Sequence, residues 1–331
     1  MTGASNGSIV AGFAMTHTPG LGNLMDRPPA AQIKRLLEGF AVVEREIEQA
    51  RPDVIIALVN DHFDMFTLKG MPAIAIGIGD RHWGPTAAAE AWLQMKRGPI
   101  QGHPDVAWDI YTSLMNDGFD LFRFDSAEFV HNLLLPKKYL WPKLDIPVVP
   151  IYINCFAPPL PTWRRAFELG QAIRKVLARR SERVALLASG GLSHWPPITP
   201  DVVPEGDPLR ERIVQFQTKG PEAFKDDPKL PLDMGVREQE MAASDKVLIN
   251  TQWDRDILDR LAAGDVQYLT NLAHDQVHAV AGSGGAEMLQ WVSLMGAVNA
   301  QKGQVVMYEP VKEWMGGVGL ISYAAALGAG S

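Results

Sequence analysis

The stretch RVALLASGGLSHWPP, residues 183–197, decides how the rest of the chain is read. RVALLA is a short apolar run bounded by turn residues, which predicts a buried strand. Gly190 and Gly191 end it, and Pro196 and Pro197 can extend neither a strand nor a helix. Ser193 and His194 therefore stand at the mouth of a core strand. Such a pair could be a nucleophile with its base, a metal site, a proton shuttle or only a satisfied turn.

Working outward, the same rhythm recurs. SIVAGFAMT (8–16), DVIIALVN (53–60), AIAIGI (73–78) and PVVPIYIN (147–154) are strand-like. AAQIKRLLEGFAVVEREIEQA (30–50), GHPDVAWDIYTSLMNDG (102–118) and PTWRRAFELGQAIRKVLARRS (161–181) carry helical periodicity. The alternation predicts one α/β domain over 1–331. A central, mostly buried mixed sheet is flanked by helices, and the active site lies at the carboxyl ends of strands. Residues 196–244, rich in proline and charge, are expected to form a long excursion with one short helix, serving as a lid or an oligomer contact. Helices then dominate to about Val298. VVMYEPV and GVGLISYAA close the chain as strands, and the tail GAGS is expected to fray.

Composition narrows the function classes. An apolar fraction of 47% over 331 residues supports a sizeable core. A net charge of −7 without a basic cluster argues against nucleic acid or anionic membranes as partners. The single cysteine, Cys155, rules out an intramolecular disulfide and reads as buried and inert. MTGASNGSIV has no basic n-region, and no apolar run approaches the roughly 20 residues that cross a bilayer. A cytoplasmic homo-oligomer with no membrane partner is the expectation.

Three of the eight histidines follow predicted strands: His17 in MTHTPGLG, His62 in VNDHFD and His194 in GLSHWPP. Loops at strand carboxyl ends converge on one crevice, so these three are expected to meet. One cysteine excludes a cysteine-rich zinc site. Two neutral imidazoles and a carboxylate, with open positions left over, describe a facial triad. Glu287, after the glycines of AGSGGAEMLQWVSLMGAV, is a candidate carboxylate, although a glutamate complementing a helix dipole explains it equally well. His131, in EFVHNLLLPKKYL, reads from its apolar surroundings as a core histidine with a carbonyl partner. Weaker signals are GIGDRH (77–82), an incomplete dinucleotide loop, and HDQVH (274–278), a zinc-protease pattern with Asp275 in place of glutamate. Ser193 lacks the final glycine of a hydrolase elbow, because Trp195 occupies that position.

With these residues in view, the chain resembles the class III extradiol ring-cleavage dioxygenases, the superfamily that includes the β-subunit of protocatechuate 4,5-dioxygenase. Within it, the likeness is strongest to catechol dioxygenases acting on 2,3-dihydroxyphenylpropionate. The resemblance runs from about residue 8 to 322. It is densest in PVVPIYINCFAPPLP followed by SGGLSHWPP, in NDH (60–62) and in YEPVKEWMGGVG. It implies Fe(II) ligands at His17, His62 and Glu287, an acid/base histidine at His194 and a second active-site histidine at His131. Where such relatives read D-H-G, this chain has Val130-His131-Asn132, and where many carry glutamine it has Trp195. The implied reaction takes a catecholic substrate and O2 to a muconic-semialdehyde product. Two alternatives are a catalytically silent partner subunit, which would have no reason to keep every one of these residues, and a Ser193 hydrolase.

Overall fold

The computed structural model describes residues 8–244 and 248–328. The first seven and last three residues, on which the leader and tail readings largely fall, lie outside that range. Among the described residues ten strands form: β1 (Ser8–Met15), β2 (Val54–Val59), β3 (Ile74–Gly77), β4 (Arg81–Gly84), β5 (Gly98–Gln101), β6 (Phe122–Phe124), β7 (Val148–Ile153), β8 (Arg183–Ser189), β9 (Gln304–Val311) and β10 (Gly316–Ser322). Eight make one sheet in the order β6-β3-β7-β2-β8-β1-β10-β9, and β4 and β5 form a separate hairpin. β7, β2, β8 and β1 run parallel at its centre. β3, β10 and β9 enter antiparallel to their inner neighbours, so the sheet is mixed as expected.

Both faces of the central strands are covered, because alternate side chains feed two separate cores. Val54, Ile56 and Leu58 pack with helices 104–116, 163–177 and 288–297, while Ile55, Ala57 and Val59 pack with helices 30–50 and 131–140. On the first face, helix Trp163–Leu177 meets helix Met288–Ala297, all ten of whose residues are buried. Glycines bring the two backbones together. A Cβ at Gly170 would stand 1.8 Å from the Ser293 carbonyl oxygen, and one at Gly296 would stand 2.1 Å from that of Phe167. Gly170→Ala is therefore expected to force the helices apart, costing about 3 kcal/mol. For a chain of 331 residues that corresponds to a melting temperature lower by roughly 4 °C in a thermal scan. An unchanged transition would show that the helices are not in register as described.

Residues 196–244 correct one expectation. They hold helices Pro208–Lys219, Ala223–Asp226 and Leu230–Ala243 rather than one short helix. Prolines that read as breakers sit in the first turn of a helix, where the missing N–H has no intrahelical partner to lose. Asp207 caps the first of these helices by accepting from the Leu209 N–H at 2.9 Å. The excursion has its own apolar cluster of Val202, Ile213, Phe216, Leu230, Met234 and Met241. That cluster closes on Phe63, Ala157 and Met315, beside the ends of β2, β7 and β10. It thus covers the same end of the sheet as the candidate site.

Candidate functional site

The register of the parallel strands sets the height of the site. Met15 pairs with Ser189 and Leu58 with Ala188, so β1, β2 and β8 end nearly level. His17 follows β1 by two residues and His62 follows β2 by three. The β8 loop swings His194 toward them. Phe63, immediately after His62, has a φ of 66°, a left-handed conformation that a bulky residue keeps only when packing holds it there. Its ring is fully buried in the cluster under the excursion.

Glu287 lies at the centre, wholly buried at 0% exposure. One carboxylate oxygen, Oε2, is 3.2 Å from His17 Nε2 and accepts the Gly191 N–H. The other, Oε1, is 3.4 Å from His62 Nε2 and 3.4 Å from His194 Nε2. Burial alone would raise the Glu287 pKa, but His17 and His194 outweigh it and hold the carboxyl well below the usual range. His17 Nδ1 is 2.8 Å from Ser189 Oγ. With that proton on Nδ1, Nε2 offers its lone pair to the site. His62 Nε2 also lies 3.1 Å from Asn60 Nδ2. Burial lowers the pKa of His62, which keeps that imidazole neutral at ordinary pH.

The ring of His131, first residue of helix His131–Leu140, packs 4.3 Å from that of His62 and 5.1 Å from that of His17. Its Nδ1 is buried and has no hydrogen-bond partner, so the carbonyl-bonded core histidine expected from the sequence does not form at that nitrogen. Burial, followed by the charges of His62 and His17, pushes its pKa far down. Asn132, in place of the relatives' glycine, ties the helix start to the NDH loop. Its Oδ1 accepts from the Val130 and Leu133 N–H groups, and its Nδ2 donates to the Asn60 carbonyl.

His194 is the most open of the group, with 22% of its side chain exposed. Nδ1 bonds the Leu192 carbonyl at 2.9 Å, so Nε2 faces the site. Burial acts to lower its pKa, but the Glu287 charge more than offsets this and raises it. Two glycines cradle the ring: a Cβ at Gly191 or at Gly284 would stand 2.1 Å from Cε1. That is the physical reason for the glycines after β8, and Gly284 is a partner the sequence did not mark.

Ser193 is buried and engaged: its Oγ accepts the Asn250 N–H at 2.8 Å, and its own N–H donates to Asp254 Oδ1 at 2.8 Å. No nucleophile can act from that position. Asp254 in turn accepts from the Tyr308 hydroxyl at 2.6 Å. No local signal distinguished these two residues, which hold the loop from behind. Cys155 is buried as expected, and burial raises its thiol pKa. HDQVH divides: His274 bonds the Pro161 carbonyl and His278 bonds Asp201. GIGDRH leads into β4 rather than a helix. There His82 Nδ1 accepts the Ala127 N–H, and burial lowers its pKa to about 4.

The donor set fits a metal ion. Nitrogens of His17, His62 and His131 lie within 4.8 Å of one another. The carboxylate separations of 3.2 and 3.4 Å are close to the roughly 3 Å between neighbouring ligands bound about 2.1 Å from one ion. His17 Nε2 and Glu287 Oε1 are buried without hydrogen-bond partners, as ligand atoms awaiting an ion would be.

Comparison with known proteins identifies the family. A 2,3-dihydroxyphenylpropionate/2,3-dihydroxicinnamic acid 1,2-dioxygenase of Photorhabdus laumondii is 31% identical over 315 residues, covering 93% of this chain and 95% of that one. A protein of the same name from Burkholderia vietnamiensis is 30% identical over 313 residues, covering 92% and 94%. The crystal structure of an uncharacterized protein from Escherichia coli K12 matches the fold with a TM-score of 0.50 at 13% identity, over 95% of this chain and 99% of that one. The family of the catalytic LigB subunit of aromatic ring-opening dioxygenase matches residues 11–321. The chain belongs to that family and is a ring-opening dioxygenase.

Proposed function

We propose that this enzyme opens catechols at the extradiol position with Fe(II) and O2, using His17, His62 and Glu287 as ligands and His194 and His131 as acid/base groups. The observation that carries the reading is one ionised, fully buried carboxylate within 3.4 Å of imidazole nitrogens from the loops after two parallel strands. Two histidines and one carboxylate leave coordination positions free, as suits ferrous oxygenases. His131 shares the nitrogen cluster, but His17 and His62 are the ones that also face Glu287, at 3.2 and 3.4 Å, so we assign His131 to proton chemistry rather than to the metal. Fe(II) held by His17, His62 and Glu287 would supply the redox chemistry that joins a catechol to O2.

The protein's own groups handle position and protons. Leu192 fixes the His194 proton on Nδ1, so Nε2 is the atom that accepts a proton from a catechol hydroxyl and later returns it. The Glu287 charge stabilises the imidazolium formed in between. His131, neutral and buried, offers an unpartnered Nδ1 to a developing oxyanion. Phe156, with its ring 5.3 Å from that of His62, and Trp92, 5.5 Å from His131, bound this space with aromatic surface. Nearby, Trp195 helps close the excursion over the site.

The test loads the protein with Fe(II) under nitrogen, adds a catechol and admits oxygen. The expected results are a yellow semialdehyde, one O2 consumed per catechol, both oxygen atoms in the product, and loss of all three on prior chelation. Iron-loaded protein that consumes no oxygen with any catechol would sink the proposal.

A further inference from the structure

The excursion packs over the end of the sheet that holds the site, and its last helix carries an acidic group that the ring chemistry does not use. Helix Leu230–Ala243 turns Met234 and Met241 into the apolar cluster that also holds Phe63, Met315 and, at its edge, Phe156 and Trp195. Residues four and three apart share a helix face, so Glu238 sits on the same inward side as those two methionines. The helix rests on residues 312–314, which lead to Gly316. A Cβ at Gly316 would stand 3.7 Å from that of His194. Glu238 is half-buried there; burial raises its carboxyl pKa, and the charge of His194 acts in the opposite direction.

The surrounding charges make this placement more telling. Asp233 and Glu240 of the same helix pair with Arg212 and Arg237, but among the described residues no lysine or arginine pairs with Glu238. The excursion's Arg210 donates to the Pro200 and Val203 carbonyls, and Arg237 donates to that of Val202. Lys137 and Lys138 of helix His131–Leu140 donate to the carbonyls of Leu144 and Gly22. Arg81 lies on the separate β4–β5 hairpin.

We propose that Glu238 sets the charge class of the ring substituent: the site takes catechols whose side chain is uncharged or cationic and discriminates against those that carry a carboxylate. The identity of the pocket as a catechol site rests on the ring-cleavage reading above. An anionic side chain entering beside Glu238 meets a like charge in a largely apolar wall, where repulsion is far stronger than in water. The substituent preference of this chain therefore departs from the propionate in the names of its relatives.

The test measures, by calorimetry under nitrogen, the binding of 3-substituted catechols of matched length to the protein as purified. The substituents are a propionate, its neutral propanamide and an aminopropyl chain. The amide and amine are expected to bind at least about tenfold more tightly than the propionate. Glu238→Gln should bring the amide-to-propionate ratio close to one, and Glu238→Lys should invert it. Tighter or equal binding of the propionate by the wild type overturns the proposal, as does a ratio that neither variant moves. The wild-type series decides alone if the variants do not fold. Oxygen uptake is scored separately. Binding in the expected order without ring opening sinks the ring-cleavage reading and leaves the charge assignment standing, whereas no binding of any of the catechols removes both.

Discussion

Glu287→Ala is expected to strip the protein of its metal and of ring cleavage together. The carboxylate faces His17 at 3.2 Å, His62 at 3.4 Å and the Gly191 N–H, and no water can replace it at 0% exposure. Losing a partner that merely orients a ligand typically costs about 10–100-fold in metal affinity, so loss of a direct ligand should exceed the top of that range. Metal content after gel filtration and oxygen uptake with catechol measure the two effects. The converse variant, His131→Ala, should keep its metal. This pair separates the ligand sets, because a centre built on His17, His62 and His131 would give the opposite pattern. Full metal content in Glu287→Ala would sink the assignment made here.

His194→Ala should keep the metal and lose turnover by roughly 10²–10⁴-fold, the usual worth of an acid/base group. The ring fits between Gly191 and Gly284 in a partly exposed loop, and Ser193, Asp254 and Tyr308 hold that loop through neighbouring atoms. Truncation therefore removes a proton carrier and leaves its support in place. The geometry makes the alternative a real one: His194 Nε2 is as near to Glu287 Oε1 as His62 Nε2 is, at 3.4 Å. If the alanine variant lost iron, His194 would have to be counted as a ligand. Retained turnover within a fewfold would remove it from proton transfer.

The parts of this molecule that were legible in the sequence are those governed by local periodicity. Strands buried on both faces read as apolar runs, and β8 runs over Arg183–Ser189 as its sequence suggested. Helix Ala30–Ala50 likewise has the expected bounds. Histidines just past strand ends were legible because a parallel sheet brings those ends together. Glu287 could be suspected from the glycines before it but not distinguished from a helix-end glutamate, since what sets it apart is three imidazoles from distant segments. Asp254, Tyr308 and Gly284 gave no signal, because their roles exist only after helix 251–263, β9 and the 283–287 turn have packed behind β8. The excursion misread for a related reason. Its prolines look like breakers until the first turns that accommodate them are seen, and its apolar residues close on Phe63 and Met315 far along the chain.

Helix Met288–Ala297, sheathed on every side and pressed through glycine against its neighbour, has a consequence for how this protein can change over time. The carboxylate at its head cannot be retuned by small shifts, since any movement would have to be shared by two helices and the sheet beneath them. The excursion is less committed: it brings its own apolar cluster, which meets the centre chiefly through Phe63, Phe156, Ala157, Trp195 and Met315. New substrates are thus most readily acquired by exchanging residues 196–244 as a cassette over an invariant reaction centre. A chimera that swaps this segment between relatives is the natural unit of redesign.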